Sequence, residues 1–176
     1  QVVAGEVGLC QQTEGGSPGY ENRSYYNHDK IFDDDWETDW NTPTSNMTNG
    51  VWFVEFRSSR PFVPTKYYMV PGKGAQNDPW NFNENPYNWR LMAKTNEGDQ
   101  WTTIATVTND ERLPAGYDRP DNESIQKRVE YPLDVTGKTW QYFRLEILNT
   151  RHPLGGAKNG YEGYLKLAEF DFGKNE

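Results

Sequence analysis

Residues 140–148 read WQYFRLEIL, and the alternation within them decides the fold class. Phe143, Leu145 and Ile147 fall on one face, and Tyr142, Arg144 and Glu146 on the other. That is the period-2 signature of a half-buried β-strand. Shorter runs dense in aromatic and β-branched residues occur at 51–56, 67–70, 88–94, 101–107, 127–133 and 164–172, with turn-rich segments between them. Almost no window carries the i, i+3, i+4, i+7 apolar spacing of an amphipathic helix. Strands without intervening helices cannot form βαβ units, so the expected architecture is all-β, an antiparallel sandwich of the jelly-roll type. In the last run Leu165 and Leu167 share one phase while Ala168, Phe170 and Phe172 share the other, which predicts a bulge or a change of sheet near Ala168 and Glu169. Residues 1–24, rich in Gly and Gln, read as an N-terminal segment packing on or leading into a single sandwich domain formed by residues 25–176.

The composition supports a packed core. The chain has 176 residues, of which 15% are aromatic, with 7 Trp, 11 Tyr and 8 Phe, and such side chains bury about 150–250 Å² each. No run approaches the ~18 consecutive apolar residues of a membrane span, so no membrane insertion is expected. A formal net charge of −8 disfavours nucleic acid and anionic lipid surfaces, whose binding depends on Lys and Arg. Cys10 stands alone, so no intramolecular disulfide and no cysteine-rich zinc site is expected. No charged n-region followed by an apolar h-region appears, although a processed secretory protein would read the same way. Glycosylation acceptor patterns occur at Asn22, Asn46 and Asn122, about as many as chance supplies in an Asn-rich chain.

Three segments carry possible chemistry. Asp33, Asp34, Asp35, Glu37 and Asp39 crowd together, interrupted by Trp36, Thr38 and Trp40. Carboxylates this close repel one another unless solvent or a hard cation intervenes, and oxygen-only ligands suit Ca2+; the alternative is a solvated acidic loop. An EF-hand is excluded, because Thr38 stands where its Gly and Thr44 where its bidentate Glu would be. The loop at 71–88 sets Trp80, Phe82 and Tyr87 among Asn77, Asn81, Asn83, Asn85 and acidic side chains, a mixture suited to a sugar with one apolar face and a hydroxylated edge. Its alternative is a long connection whose aromatics pack underneath it. Between 150 and 164, Arg151, His152, Asn159 and Tyr161 alternate with glycines, as in a ligand loop or an ordinary flexible hairpin. Nucleophilic catalysis is unsupported: His28 and His152 are the sole imidazoles, and no nucleophile elbow, P-loop or zincin spacing appears.

The stretch KIFDDDWETDWNT at 30–42 resembles the opening motif of coagulation factor 5/8 type C (discoidin-like) domains. NPYNW at 85–89 with TNEGDQW at 95–101, then WQYFRLEI at 140–147 and LKLAEF at 165–170, follow in the family's order. The resemblance is nearest in kind to family 32 carbohydrate-binding modules of the galactose-binding-like superfamily. It implies a structural Ca2+ held by the side chains of Asp33, Thr38 and Glu169 and the backbone carbonyls of Lys30, Asp35, Thr38 and Ala168. Asp34 replaces the Gly usual in the family. The resemblance also implies a sugar site on loops at one rim, for which Trp36, Asn41, Lys73, Asn77, Trp80, Asn85, Arg151, His152 and Tyr161 are the candidates. Asn41 stands where a His is often found, so galactose specificity is not carried over.

The expected function is therefore non-catalytic glycan binding, with structural Ca2+, in an extracytoplasmic setting and within a larger secreted or surface protein. The alternative is a protein-interaction or structural module on the same fold.

Overall fold

The computed structural model describes residues 12–72, 84–113, 126–134, 137–151 and 163–173. The described strands are β1 (Gln12–Gly16), β2 (Trp40–Pro43), β3 (Trp52–Phe62), β4 (Lys66–Pro71), β5 (Pro86–Lys94), β6 (Thr102–Val107), β7 (Val129–Pro132), β8 (Trp140–Thr150) and β9 (Tyr164–Asp171). They form a five-stranded sheet in the order β1-β3-β8-β5-β6 and a four-stranded sheet in the order β2-β9-β4-β7, with antiparallel pairing throughout. Short 3-10 helices at Tyr20–Asn22, Ser24–Tyr26, His28–Phe32 and Thr44–Asn46 join the early strands.

Every run expected to be a strand from its alternation is one. β1 and β2 were not expected. β1, QTEGG, offers no large apolar side chain and is ordered by backbone pairing with β3, Gln12 opposite Arg57 and Gly16 opposite Val54. β2 is four residues long, too short to show a period, and is defined by pairing Trp40 with Leu167 and Thr42 with Leu165. Because β1 is a strand of the sheet, the boundary drawn after residue 24 falls inside the sandwich.

The two inner faces meet through aromatic side chains. Phe56 and Phe143 from the five-stranded sheet face Phe170 and Phe172 from the other, with ring centroids 4.7 Å apart for Phe143 and Phe172 and 5.3 Å for Phe56 and Phe170. Trp40, Trp52 and Trp89 are fully buried, so their indole N–H groups need acceptors. Two of them reach the main chain at Ser17 O (3.0 Å) and Pro43 O (2.8 Å), and Trp89 donates to Tyr67 Oη (3.0 Å). Tyr131 donates to buried Asp110 (3.1 Å), whose second oxygen accepts from Leu113 N (3.0 Å). The expected irregularity in the last strand is a bulge: Val70 on β4 pairs with Glu169 and Pro71 with Leu167, passing over Ala168. Leu165 and Leu167 before it and Phe170 and Phe172 after it all reach the core.

Burial pushes the Tyr67 phenol up to about 12 and, together with the Asp110 carboxylate, pushes Tyr131 higher still. An unfolded tyrosine ionises near pH 10, so these native phenols hold their protons where the unfolded chain releases them. Their contribution to stability is complete below pH 10 and is lost as the pH rises toward 12, with about 3 kcal/mol at stake at Tyr67. In an absorbance titration these two are expected to ionise only as the protein unfolds, and Tyr67→Phe to flatten the alkaline loss of stability. All tyrosines titrating together near pH 10 in the folded protein would contradict this.

Candidate functional site

The acidic loop is pinned at its start by the 3-10 helix His28–Phe32, which contains Lys30. Ile31 is fully buried, and the Phe32 ring lies 4.8 Å from Phe56 and 6.4 Å from Phe170. The chain then turns through Asp33 and through Asp34, whose φ of 60° is left-handed. Asp can adopt that conformation, whereas Gly does so without steric cost. Asp35 N donates to Asp33 Oδ1 (3.0 Å) and Glu37 N to Asp35 Oδ1 (2.9 Å), closing two side-chain turns. The Thr38 hydroxyl lies against Asp33 Oδ2 and 3.0 Å from the Asp35 carbonyl oxygen. A hydroxyl has one proton, so it donates to one of these two acceptors.

Glu169 comes to the same place from the far end of the chain. Asp34 N–H donates to both of its carboxylate oxygens, at 2.9 and 3.2 Å. Burial pushes the Glu169 carboxyl up to about 9, and the carboxylates of Asp33, Asp171 and Asp34 act in the same direction, opposed by the Asp34 N–H. Asp171 has its own cation, Arg128, at 2.6 Å. Among the described residues no lysine or arginine forms an ion pair with Glu169. Ala168, passed over by the bulge, has no register partner on β4. The potential donors are all oxygen. Among the described residues no three His, Cys, Asp or Glu side chains are arranged to hold a metal, so a cation here would lean on hydroxyl and main-chain oxygens as well as on carboxylates.

A second polar region lies at the end of the sandwich where β4 and β8 finish and β5 and β9 begin. Asn41 on β2 is opposite Lys166 on β9. Lys166 N donates to Glu84 O (3.0 Å), and its ammonium lies 3.6 Å from Glu84 Oε2. The next residue, Asn85, is buried, and its carbonyl accepts from Arg151 N (3.0 Å); Arg151 Nη1 donates to Leu113 O (3.1 Å). Asn41, Asn85 and Arg151, distant in sequence, are thus linked through Lys166 and Glu84. Asn41 Oδ1 is buried without a hydrogen-bond partner. Trp36 is exposed at the neighbouring loop, where the Gln126 amide donates to Trp36 O (2.8 Å) and Pro71 O (3.0 Å). Lys73, Asn77, Trp80, His152 and Tyr161 lie outside the described residues.

Sequence reading did not single out Asp39, Glu84 or Lys166 for this end. Asp39 was grouped with the cation loop, but burial pushes its carboxyl up to about 6 while Lys166 pulls it back. A Cβ placed on Gly72 would come within 2.6 Å of Lys166 Cβ and 3.1 Å of Asp39 Oδ2, which puts Asp39 and Lys166 under the end of β4 and explains the glycine there. The signal was available: if Trp40 and Thr42 point inward, Asp39 shares the outward phase of Asn41. His28, one of the two imidazoles, packs against Gly16, and burial lowers its pKa.

The left-handed φ at Asp34 generates a prediction. Asp34→Gly is expected to leave stability within about 1 kcal/mol of the parent, whereas Asp34→Val loses about 1–2 kcal/mol in urea unfolding, because a β-branched residue resists that conformation. Equal stability of the two variants would contradict the backbone assignment.

No protein-family model matches the sequence, and no curated protein matches it significantly. Solved structures do match in fold. CpGH89CBM32-5 from Clostridium perfringens, solved with GalNAc-beta-1,3-galactose, superposes with a TM-score of 0.61 at 13% identity, covering 97% of this chain and 98% of that one. An F5/8 type C domain from Bacteroides fragilis gives a TM-score of 0.61 at 15% identity over 92% and 89% of the two chains. The family 32 module of NanJ from C. perfringens, solved with galactose, gives 0.58 at 11% identity over 92% and 91%. With the paired sheets, the bulged last strand and the early loop lying against it, these likenesses show that the chain has the discoidin-like β-sandwich fold of F5/8 type C domains and family 32 carbohydrate-binding modules.

Proposed function

We propose that this chain is a non-catalytic glycan-binding module whose ligand sits at the end of the sandwich marked by Asn41, Lys166 and Arg151. The observation that carries the reading is the linkage of residues from β2, β9, the residues just before β5 and the residue just after β8 into one polar cluster. Fixed amide, ammonium and guanidinium groups suit a ligand with many hydroxyls and no net charge. Support comes from neighbours of the same fold solved with GalNAc-beta-1,3-galactose and with galactose. A protein-interaction module is the weaker reading. Among the described residues the large exposed hydrophobics are Tyr25, Trp36 and Leu148, too few and too scattered for a contiguous apolar patch.

A shallow site of this kind binds with dissociation constants of about 0.1–1 mM. Such affinities become useful through multivalency, which favours an extracytoplasmic role within a larger protein. On a glycan array, and by calorimetry with galactose and GalNAc-β-1,3-galactose, binding is expected and Arg151→Ala or Trp80→Ala is expected to weaken it by about tenfold or more. No bound glycan on the array would overturn the reading.

The same reading includes a structural Ca2+ held by Asp33, Thr38 and Glu169 with the carbonyls of Lys30, Asp35, Thr38 and Ala168. What supports it is the crowding of Asp33, Thr38 and Asp35 oxygens and a buried Glu169 carboxyl whose partner among the described residues is the Asp34 N–H. Bound there, the ion would neutralise those oxygens and hold the early loop to β9. Ca2+ at a hundredfold its dissociation constant is expected to add about 2.7 kcal/mol to stability, and chelation to remove it. Identical melting curves with Ca2+ and with chelator, or a Glu169→Gln variant that gains as much from Ca2+ as the parent, would exclude this role.

A further inference from the structure

Among the described residues, the outer face of the five-stranded sheet carries a concavity toward each end of β8, and neither is lined by a residue of the region just described. One, of about 230 Å3, is lined by Glu14, Glu55, Lys94, Glu97, Trp101 and Tyr142. The other, of about 520 Å3, is lined by Asn88, Arg90, Thr103, Thr106, Leu148 and Asn149. β8 contributes to both: Tyr142 stands at one and Leu148 at the other, six residues apart along the strand and therefore about 20 Å. Arg144 and Glu146 lie between them on the same face.

That intervening surface is held rigid by ion pairs. Arg144 donates to Glu55 (2.6 Å) and Glu146 (2.7 Å), Arg90 pairs with the other oxygen of Glu146, and the Arg144 guanidinium lies 4.0 Å from the centre of the Phe53 ring. Lys94 Nζ lies 4.6 Å from the Trp101 ring centre and donates to Glu97 O (2.5 Å). Planar donors and rings fixed before binding lose little freedom when a ligand arrives. The charges cancel: Glu14, Glu55, Glu97 and Glu146 stand against Arg57, Lys94, Arg90 and Arg144, so a polyanion or polycation finds no net attraction. Leu148 is the one large exposed hydrophobic among the described residues of this face, which therefore presents no contiguous apolar patch to a protein partner. A ligand that uses an aromatic platform, amides, hydroxyls and balanced charges over about 20 Å is a neutral, chain-like carbohydrate.

We propose that the outer face of the five-stranded sheet is a second carbohydrate surface, which takes a neutral polysaccharide chain lying along β8 from Trp101 and Tyr142 to Thr106 and Asn149. It is separate from the loop region at the end of the sandwich and does not depend on it.

The test is affinity electrophoresis of the full chain in gels containing galactan, xylan or mixed-linkage β-glucan, with polygalacturonate as the anionic comparison. At least one neutral polysaccharide is expected to retard the protein. Trp101→Ala, Tyr142→Ala and Thr106→Arg are expected to weaken that retardation about tenfold or more, while Arg151→Ala leaves it in place. Thr106 is exposed on β6, so its variant reports on the surface even where loss of a ring impairs folding. In the unmodified chain, the Trp101 indole N–H resonance is expected to shift on adding oligosaccharides of the retarding polymer. The proposal is overturned by no retardation in any neutral gel, by equal retardation in polygalacturonate, by face variants that migrate like the parent, or by loss of retardation in Arg151→Ala alone. Galactose binding by calorimetry separates the two surfaces: its absence counts against the loop site and leaves the gel result standing.

Discussion

The contact between the Asp34 N–H and the Glu169 carboxylate ties residues 135 positions apart, and the organisation of one side of the molecule follows from it. It forms because β9 carries one extra residue, Ala168, at the point where β2 stops pairing. Were the strand regular through Ala168, the alternation of Leu165 and Leu167 would carry on to Glu169, which would point into the core, and Phe170 and Phe172 would leave it. The bulge therefore serves packing and polar chemistry together. It returns two phenylalanines to the aromatic core and turns a carboxylate toward the loop at Asp33.

This relation was readable in the sequence because a phase change in a strand is a physical statement about facing. Leu165, Leu167, Phe170 and Phe172 cannot all be inward on a regular strand, so an irregularity at Ala168 and Glu169 follows from the residues alone. The strands with large alternating side chains were legible for the same reason. β1 was not, since Gln, Thr, Glu and Gly carry no facing signal and the strand exists by hydrogen bonding to β3. Of the polar residues, Asp33 stands out by the crowding of carboxylates and Glu169 by the bulge, whereas Thr38 is implied only by the family resemblance. Asp39 looked like their neighbour; its outward phase follows from inward Trp40 and Thr42, but its place beside Lys166 depends on the pairing of β2 with β9. Lys166 and Glu84 carry no motif. Their association depends on a contact between the start of β9 and the residue before Asn85, and no local pattern encodes such a contact.

The two sheets differ in what lies on their outer faces. On the four-stranded sheet, buried or half-buried charges at Asp39, Glu84, Lys166, Glu169 and Asp171 are covered by returning chain at Gly72, Glu84 and the acidic loop, and each needs a partner close at hand. On the five-stranded sheet, the Glu55, Arg144, Glu146 and Arg90 row is satisfied within the sheet by cross-strand neighbours. A face that completes its own hydrogen bonding needs no covering chain to satisfy its charges.

The connection between β4 and β5 is anchored on β9 at both of its described ends. Its two ends meet at one residue: Gly72 packs on Lys166 Cβ, and Glu84 O accepts from Lys166 N. The anchors on both sides of this connection are therefore supplied by β9. Arg151 is held in a similar way, by Asn85 O and Leu113 O, before the next segment begins. Buried tryptophans secure neighbouring parts of the same end through Pro43 and Ser17. Segments that begin and end on such anchors can vary in sequence while the anchors, and the aromatic core beneath them, stay as they are.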